Sequence, residues 1–300
     1  MPSATDAVER STVAFASGGS RCEGWLFRPP RADGEVACVV LAHGFGALKE
    51  ARLDAYAQRF ADAGFAALAF DYRHFGDSEG EPRQLVDIAR QHADWRAAIA
   101  HARSLDGVDR DRIVAWGSSF GGGHVISTAA SEPRLAAAIA QVPHTDGLAT
   151  LRQVEPRRAA ALTAHGLLDR AWALSGRAPH YIPIIGPPGS LATMTGDHAA
   201  EGYAGMYPQG FEWRNEVPAR IMLTFALYSP GRRAAEVGCP ILFQVGTDDH
   251  ITPPGPALKA AEQAPRGELL TYPLSHFEIY RGQPFERAVS DQVEFLRRHV

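Results

Sequence analysis

A serine with glycines two residues to either side has the spacing of a nucleophile on a tight turn. Gly117-Ser118-Ser119-Phe120-Gly121 has that spacing, with Ser119 at its centre. A serine at the tip of a sharp strand-to-helix turn takes a strained backbone and projects its hydroxyl above the sheet. Its neighbours two positions away come too close to their surroundings to carry side chains. Ser118 lacks this frame, because Trp116 and Phe120 stand in those places. A serine hydroxyl needs a base to take its proton, and the base needs a carboxylate to orient it. His276 is the candidate base, and the neighbours Asp248 and Asp249 both offer the carboxylate. Attack on a carbonyl builds negative charge on its oxygen, which backbone N–H groups must meet. Phe120 N–H follows the nucleophile at the start of a helix. Phe45 N–H lies in His43-Gly44-Phe45-Gly46, where glycines admit a close approach. The His43 ring is read as a brace for that loop.

Each candidate follows an apolar run suited to a buried strand. Val36 to Ala42 precedes Phe45, Arg112 to Trp116 precedes Ser119, Pro240 to Val245 precedes the aspartates, and Glu268 to Tyr272 precedes His276. Phe65 to Asp71 and Leu135 to Val142 read as further strands. Val13 to Phe15 and Gly24 to Phe27 read as a hairpin about Ser17-Gly18-Gly19-Ser20. Helical patterns cover Leu48 to Ala63, Leu85 to Ser104, Gly122 to Ala130, Ala257 to Gln263 and Phe285 to Arg298. The alternation predicts an α/β fold, a mostly parallel sheet with helices on both faces.

The alternation stops between residues 144 and 236. Leu148 to Leu174 reads as helix with a break at Pro156, His198 to Tyr207 and Pro218 to Leu227 as shorter helices, and 179–190 is rich in Pro and Gly. The pattern predicts a core of residues 1–143 and 237–300 with an inserted, mainly helical cap at 144–236. Long insertions of this kind tend to carry function. Tyr207 and Trp213 are its candidate substrate contacts.

The 300 residues suffice for one large domain. A hydrophobic content of 45% with 21% charged residues argues against disorder. A net charge of -4 gives no footprint for nucleic acid or acidic membrane. Cys22, Cys38 and Cys239 lie far apart, so neither a zinc site nor a disulfide framework is expected. Met1 to Arg10 is polar, without an export pattern, and no apolar run reaches membrane-spanning length. A cytoplasmic location is therefore expected, and assembly with further copies stays open. Metal-binding His-Glu-x-x-His and nucleotide-binding Gly-Lys-Ser/Thr patterns are absent, so no metal or cofactor is expected.

Taken together, the chain resembles an α/β-hydrolase-fold serine hydrolase over roughly residues 20–145 and 237–300. Asp71-Tyr72-Arg73-His74-Phe75-Gly76-Asp77-Ser78-Glu79-Gly80 is similar to the Asp-x-Arg-Gly-x-Gly-x-Ser loop of that superfamily, with His74 in place of glycine. The ending Ser-x-Gly resembles the branch of acetyl xylan esterases, cocaine-esterase-like enzymes and X-Pro dipeptidyl peptidases. Gly246-x-x-Asp249-x-x-x-Pro253 resembles the superfamily's acid turn, which implies Asp249 as the orienting carboxylate. The resemblance implies hydrolysis of an ester, thioester or lactone of a small to medium apolar acyl compound. The rivals are an acyltransferase, a peptidase, a carbon–carbon bond hydrolase, or a non-enzymatic ligand-binding protein on the same scaffold.

Overall fold

A computed structural model describes residues 7–30 and 34–300. Residues 1–6, the start of the polar N-terminal stretch, lie outside the described residues, as do 31–33. Eight strands form one sheet: β1 (Glu9–Ser17), β2 (Ser20–Arg28), β3 (Val36–Ala42), β4 (Ala66–Phe70), β5 (Val108–Ser118), β6 (Ala137–Gln141), β7 (Ile241–Gly246) and β8 (Gly267–Tyr272). Their order is β1-β2-β4-β3-β5-β6-β7-β8. The β1–β2 and β2–β4 pairs are antiparallel, and all pairs from β4 to β8 are parallel. Every residue of β4, β6 and β7 is buried, which explains their unbroken apolar runs.

Helices flank the sheet: α1 (Leu53–Asp62), α2 (Ile88–Ala102), α3 (Phe120–Ser131), α4 (Gly147–Arg152), α5 (Pro156–Leu174), α6 (Ala199–Ala204), α7 (Met222–Phe225), α8 (Pro254–Gln263) and α9 (Gly282–His299). Several boundaries differ from the apolar periodicity. The first helix starts at Leu53 rather than Leu48, after Arg52 takes a left-handed backbone. The second starts at Ile88, where the Asp87 side chain accepts the Arg90 N–H at 3.0 Å and so caps it. The expected break at Pro156 separates α4 from α5, with Pro156 in the first turn of α5.

Residues 144–236 add no strand to the large sheet. They hold the long helix α5, the short helices α4, α6 and α7, 3₁₀ turns at Ala219–Ile221 and Pro230–Glu236, and two-residue strand pairs. Helix α5 buries only Leu162, Gly166 and Asp169, while Leu167 and Leu174 are exposed. Asp169 ties this helix to Arg220 through two side-chain bonds of 2.6 and 2.9 Å.

Below the loop after β4, Arg73 is buried and donates through Nε to Asp94 on α2 at 2.8 Å and through a terminal nitrogen to Ser17 at 2.7 Å. The Asp94 carboxylate also accepts the Arg73 backbone N–H at 3.1 Å. A buried pair of this kind costs most when one partner is removed, because the other charge is stranded. Asp94→Ala should therefore lose about 3–5 kcal/mol in urea unfolding. A loss below about 1 kcal/mol would show that Arg73 finds water or another partner.

Candidate active site

Strand β5 ends at Ser118, and α3 begins at Phe120, so Ser119 alone makes the turn. Its backbone sits at φ 58, ψ -121, a conformation that costs an L-residue about 1–3 kcal/mol. Three bonds hold it there. Ser119 N–H donates to Gln141 O at 2.9 Å, and Ser119 O accepts from Gly123 N–H at 3.1 Å and His144 N–H at 2.9 Å. A side chain at Gly117 would lie 2.3 Å from Gly121 O, and one at Gly121 would lie 2.5 Å from His43 O. Both flanking glycines are therefore required by contact.

Ser119 Oγ lies 3.0 Å from His276 Nε2, and His276 Nδ1 lies 2.6 Å from Asp249 Oδ2. All three are buried. Ser118 Oγ points elsewhere, to Tyr280 OH at 2.6 Å and Gln141 Nε2 at 3.0 Å. Asp249 Oδ1 accepts the backbone N–H groups of Ile251 and Thr252, each at 2.8 Å. Asp249 Oδ2 also accepts the Thr252 hydroxyl at 2.7 Å. Burial would raise the Asp249 carboxyl, but the His276 charge and these hydrogen bonds outweigh it and hold the group below its ordinary value. Asp248 is exposed, and its side chain meets only Thr247 Oγ1, at 3.5 Å. The loop-bracing bonds that an aspartate in this turn makes thus belong to Asp249 itself. This line of groups can pass a proton from serine to imidazole while the carboxylate holds the ring.

Among the described residues, no acceptor takes the N–H of Phe45 or of Phe120. The two residues bracket Ser119: Gly44, just before Phe45, lies against the Ser119 Cβ, and the Phe45 and Phe120 rings meet edge to face at 5.5 Å. His43 Nδ1 donates to Gly44 O at 3.0 Å, bracing the loop as its sequence position suggests. Lys49 anchors the same loop. Its backbone N–H and Nζ both reach Asp71, each at 2.8 Å, and Nζ also reaches Asp77 at 2.6 Å. Glu50, Asp71 and Asp77 are the one acidic cluster among the described residues close enough to share a cation. Lys49 Nζ already supplies that cation.

A cavity of about 360 Å³ opens beside Ser119, lined mainly by apolar groups that include Phe45, Phe120, Leu151, Leu162, Met194 and Phe225. A second space of about 20 Å³, enough for one water molecule, touches Ser119 and His276 with Tyr203 and Met206. Tyr207 and Trp213 line neither space. Tyr207 stacks between Phe211 and Trp213 at 5.4 and 5.5 Å, and Trp213 packs on Tyr203 at 4.8 Å. These aromatics are each other's best partners, so they form a wall behind the site instead of contacts within it. Sequence reasoning missed Thr252, Lys49 and His144. The spacing Asp249-x-x-Thr252 was a readable turn signal, whereas Lys49 and His144 carried none.

A family model described as "Serine aminopeptidase, S33" matches residues 34–180. The chain is 44% identical over 290 residues to "Quorum-quenching protein AidA" of Acinetobacter baumannii, covering 96% of this chain and 94% of that one. The chain belongs to the α/β hydrolases. It is also similar to "Polyketide transferase ATR5" of Stachybotrys chlorohalonatus, at 28% identity over 305 residues, covering 97% and 98% of the two chains. The crystal structure of the α/β hydrolase GrgF from Penicillium sp. sh18 superposes with a TM-score of 0.83 at 26% identity, covering 97% of this chain and 99% of that one. This α/β hydrolase has no helix among its described residues long and apolar enough to cross a membrane.

Two outcomes follow from the geometry. Asp249→Asn should lower turnover by up to about 10⁴. Asp248→Asn should leave turnover intact and stability within about 0.5 kcal/mol. Steady-state kinetics on the two variants side by side checks this, and an inactive Asp248→Asn beside an active Asp249→Asn would reverse it. The second outcome concerns pH. Burial pushes His92 and His144 down from 6.5 to about 4, and His124 is also lowered by burial. Between pH 6.5 and 4 the unfolded chain binds protons at these rings that the folded chain does not. Stability is therefore full above pH 6.5 and falls as pH drops through this window, by up to ~1.4 kcal/mol per ring per pH unit. Melting temperature against pH should show this fall, and His92→Gln should make it shallower.

Proposed function

We propose that this α/β hydrolase cleaves an ester, thioester or lactone of a small to medium apolar acyl compound through an acyl-enzyme on Ser119. The observation that carries the reading is the Ser119–His276–Asp249 line opening directly onto a mainly apolar cavity of about 360 Å³. Ser119 Oγ attacks the carbonyl carbon as His276 Nε2 takes its proton. Asp249 holds the imidazole tautomer and stabilises the imidazolium. Phe45 and Phe120 N–H groups receive the oxyanion, in keeping with their lack of other acceptors. His276 then gives its proton to the leaving group. A water in the small space beside His276 attacks the acyl carbon, and the same proton path regenerates Ser119.

The substrate is a small molecule, and the site calls for no metal or cofactor. A cytoplasmic location is part of this reading, supported by sequence pattern alone; assembly with further copies stays open. The likeness of the Ser78-Glu79-Gly80 loop to the acetyl xylan esterase and cocaine esterase branch is also part of it. Residues 144–236 act as a cap that sets substrate choice, because α4, α5, α7 and the stretches that join them supply most of the cavity wall. The similarity to a polyketide transferase favours one second reading, acyl transfer to an alcohol or amine in place of water.

The expected outcome on p-nitrophenyl esters is a rise in kcat/KM of about fourfold per added methylene until the cavity is full. Ala159→Phe, which narrows the cavity from α5, should move that optimum to shorter chains. A serine-reactive phosphonate should mark Ser119 in mass spectrometry, and Ser119→Ala should abolish turnover. A flat chain-length profile that Ala159→Phe does not shift would show that the acyl group binds elsewhere. Faster p-nitrophenol release on adding alcohols, with ester products, would select transfer over hydrolysis.

A further inference from the structure

Arg158 stands in the first turn of α5 and lines the large cavity together with Ser119. No Asp, Glu or Lys lines that cavity with it. The side chain is half-buried, and burial pulls its pKa below the ordinary value with no neighbouring charge to oppose the shift. Glu155, in the same turn, is engaged elsewhere: its two oxygens accept the backbone N–H groups of Arg157 and Arg158 at 3.0 and 2.9 Å. A charge taken partly out of water is costly unless an opposite charge meets it, so this one needs an explanation.

The guanidinium is fixed in place. Its Nε donates to Ser190 O at 3.1 Å, and Nη2 donates to Ala192 O at 2.5 Å and Thr193 O at 3.2 Å. The stretch that supplies these carbonyls is itself held, because Thr193 N–H and Met194 N–H donate to Pro183 O and Ile184 O, each at 2.8 Å. Ile184 in turn packs on the loop that carries Phe45, so closely that a Cβ on Gly46 would lie 2.6 Å from its Cδ1. Thr193, Met194 and Thr195 continue as cavity wall, which puts the head of Arg158 at that wall. A guanidinium has five N–H donors, and the two on Nη1 meet no acceptor among the described residues. Nor is Nη1 one of the polar atoms sealed off inside the protein. A latch between α5 and residues 190–193 needs donors but no charge. The charge and the spare Nη1 are what such a latch leaves unexplained.

We propose that Arg158 is an anion subsite of the cavity, where Nη1 binds a carboxylate at the far end of the substrate's acyl chain. The preferred substrates are then half-esters or half-thioesters of dicarboxylic acids with an apolar middle. Ser119 takes the acyl carbon at one end, Arg158 holds the carboxylate at the other, and the mainly apolar wall between them selects chain length. This inference rests on the acyl-enzyme reading above and narrows its substrate class. A hydrogen bond between two charged groups is about twice as strong as a neutral one, and that difference is the source of discrimination.

The test uses p-nitrophenyl half-esters of straight-chain dicarboxylic acids of about six to twelve carbons, each beside its ω-methyl ester, which keeps the chain and removes the charge. Shorter acids are left out because their carboxylate attacks its own ester. In the native enzyme the free acid should exceed its methyl ester at least about tenfold in kcat/KM at one chain length, mainly through KM. Arg158→Met, which keeps the stem and removes the charge, should bring that ratio below one, since the carboxylate then enters unpaired. Arg158→Lys, which keeps a charge, should hold an intermediate ratio. A native ratio at or below one at every length overturns the proposal without any variant. So does a ratio that Arg158→Met leaves unchanged, the result expected if Arg158 is only a latch and its loss slows acid and ester alike. Alkanoates of 4-hydroxybenzoate and of its methyl ester form a second arm. A carboxylate preference found only there puts the anion on the leaving group and overturns the placement on the acyl chain. Turnover of plain esters with no carboxylate preference refutes this inference alone, whereas no turnover of any ester refutes the acyl-enzyme reading and this inference with it.

Discussion

The strained backbone of Ser119 is the constraint on which the rest of the structure depends. A left-handed residue with a side chain persists only where its surroundings determine it from several sides. Here the ends of three strands do so. Gln141 at the end of β6 takes the Ser119 N–H, β5 delivers the residue, and the β3 end lies so close that Gly121 has no room for a Cβ. The same contacts set where the chain goes next. His144 N–H bonds Ser119 O, so the exit from the core is tied to the nucleophile. The strain is repaid by the position it gives: a hydroxyl raised to His276, with a helix beginning at the next residue.

Around this turn the polar groups are paired in networks. In front, Lys49 joins the loop after β3 to the loop after β4 through Asp71 and Asp77. Behind, Gln292 on α9 donates to Gln141 at 2.8 Å and to Gln244 on β7 at 2.5 Å, so the terminal helix is keyed to two core strands. Such networks in a low-dielectric interior are rigid when satisfied. His74 shows the same principle locally. Its φ of 76 is the backbone a glycine would take, held by bonds from its N–H to Glu79 O at 2.7 Å and from Gln84 N–H to its carbonyl at 2.8 Å.

The segment between β6 and β7 is built differently. Its helices are short or weakly buried, and several leucines on α4, α5 and the turn after α7 face solvent. What it contributes to the interior is a mainly apolar wall that also carries Arg158 and several threonines, with an aromatic stack behind it. A framework of this kind can change the shape of the cavity without disturbing the networks that hold Ser119, His276 and Asp249. That separation of rigid chemistry from adaptable enclosure is a physical reason one scaffold can host different activities.

By itself the sequence determined the order and pairing logic of the core. Unbroken apolar runs mark strands buried on both faces, and their alternation with helical stretches leaves few topologies open. It also determined Ser119 over Ser118, because the glycine spacing is a steric requirement legible in one dimension. The Gly246-to-Pro253 frame pointed to Asp249, and the structure puts its carboxylate on His276. Helix starts were less legible, since Arg52 and Asp87 act through backbone conformation and a single cap. The wall and floor of the cavity were not legible at all. Tyr207 and Trp213 have the composition of ligand contacts but find each other, while His144, one histidine among twelve, comes to the cavity only because β6 ends beside Ser119. Which buried nitrogen is left without a partner depends on every neighbour at once, and that only the tertiary structure decides.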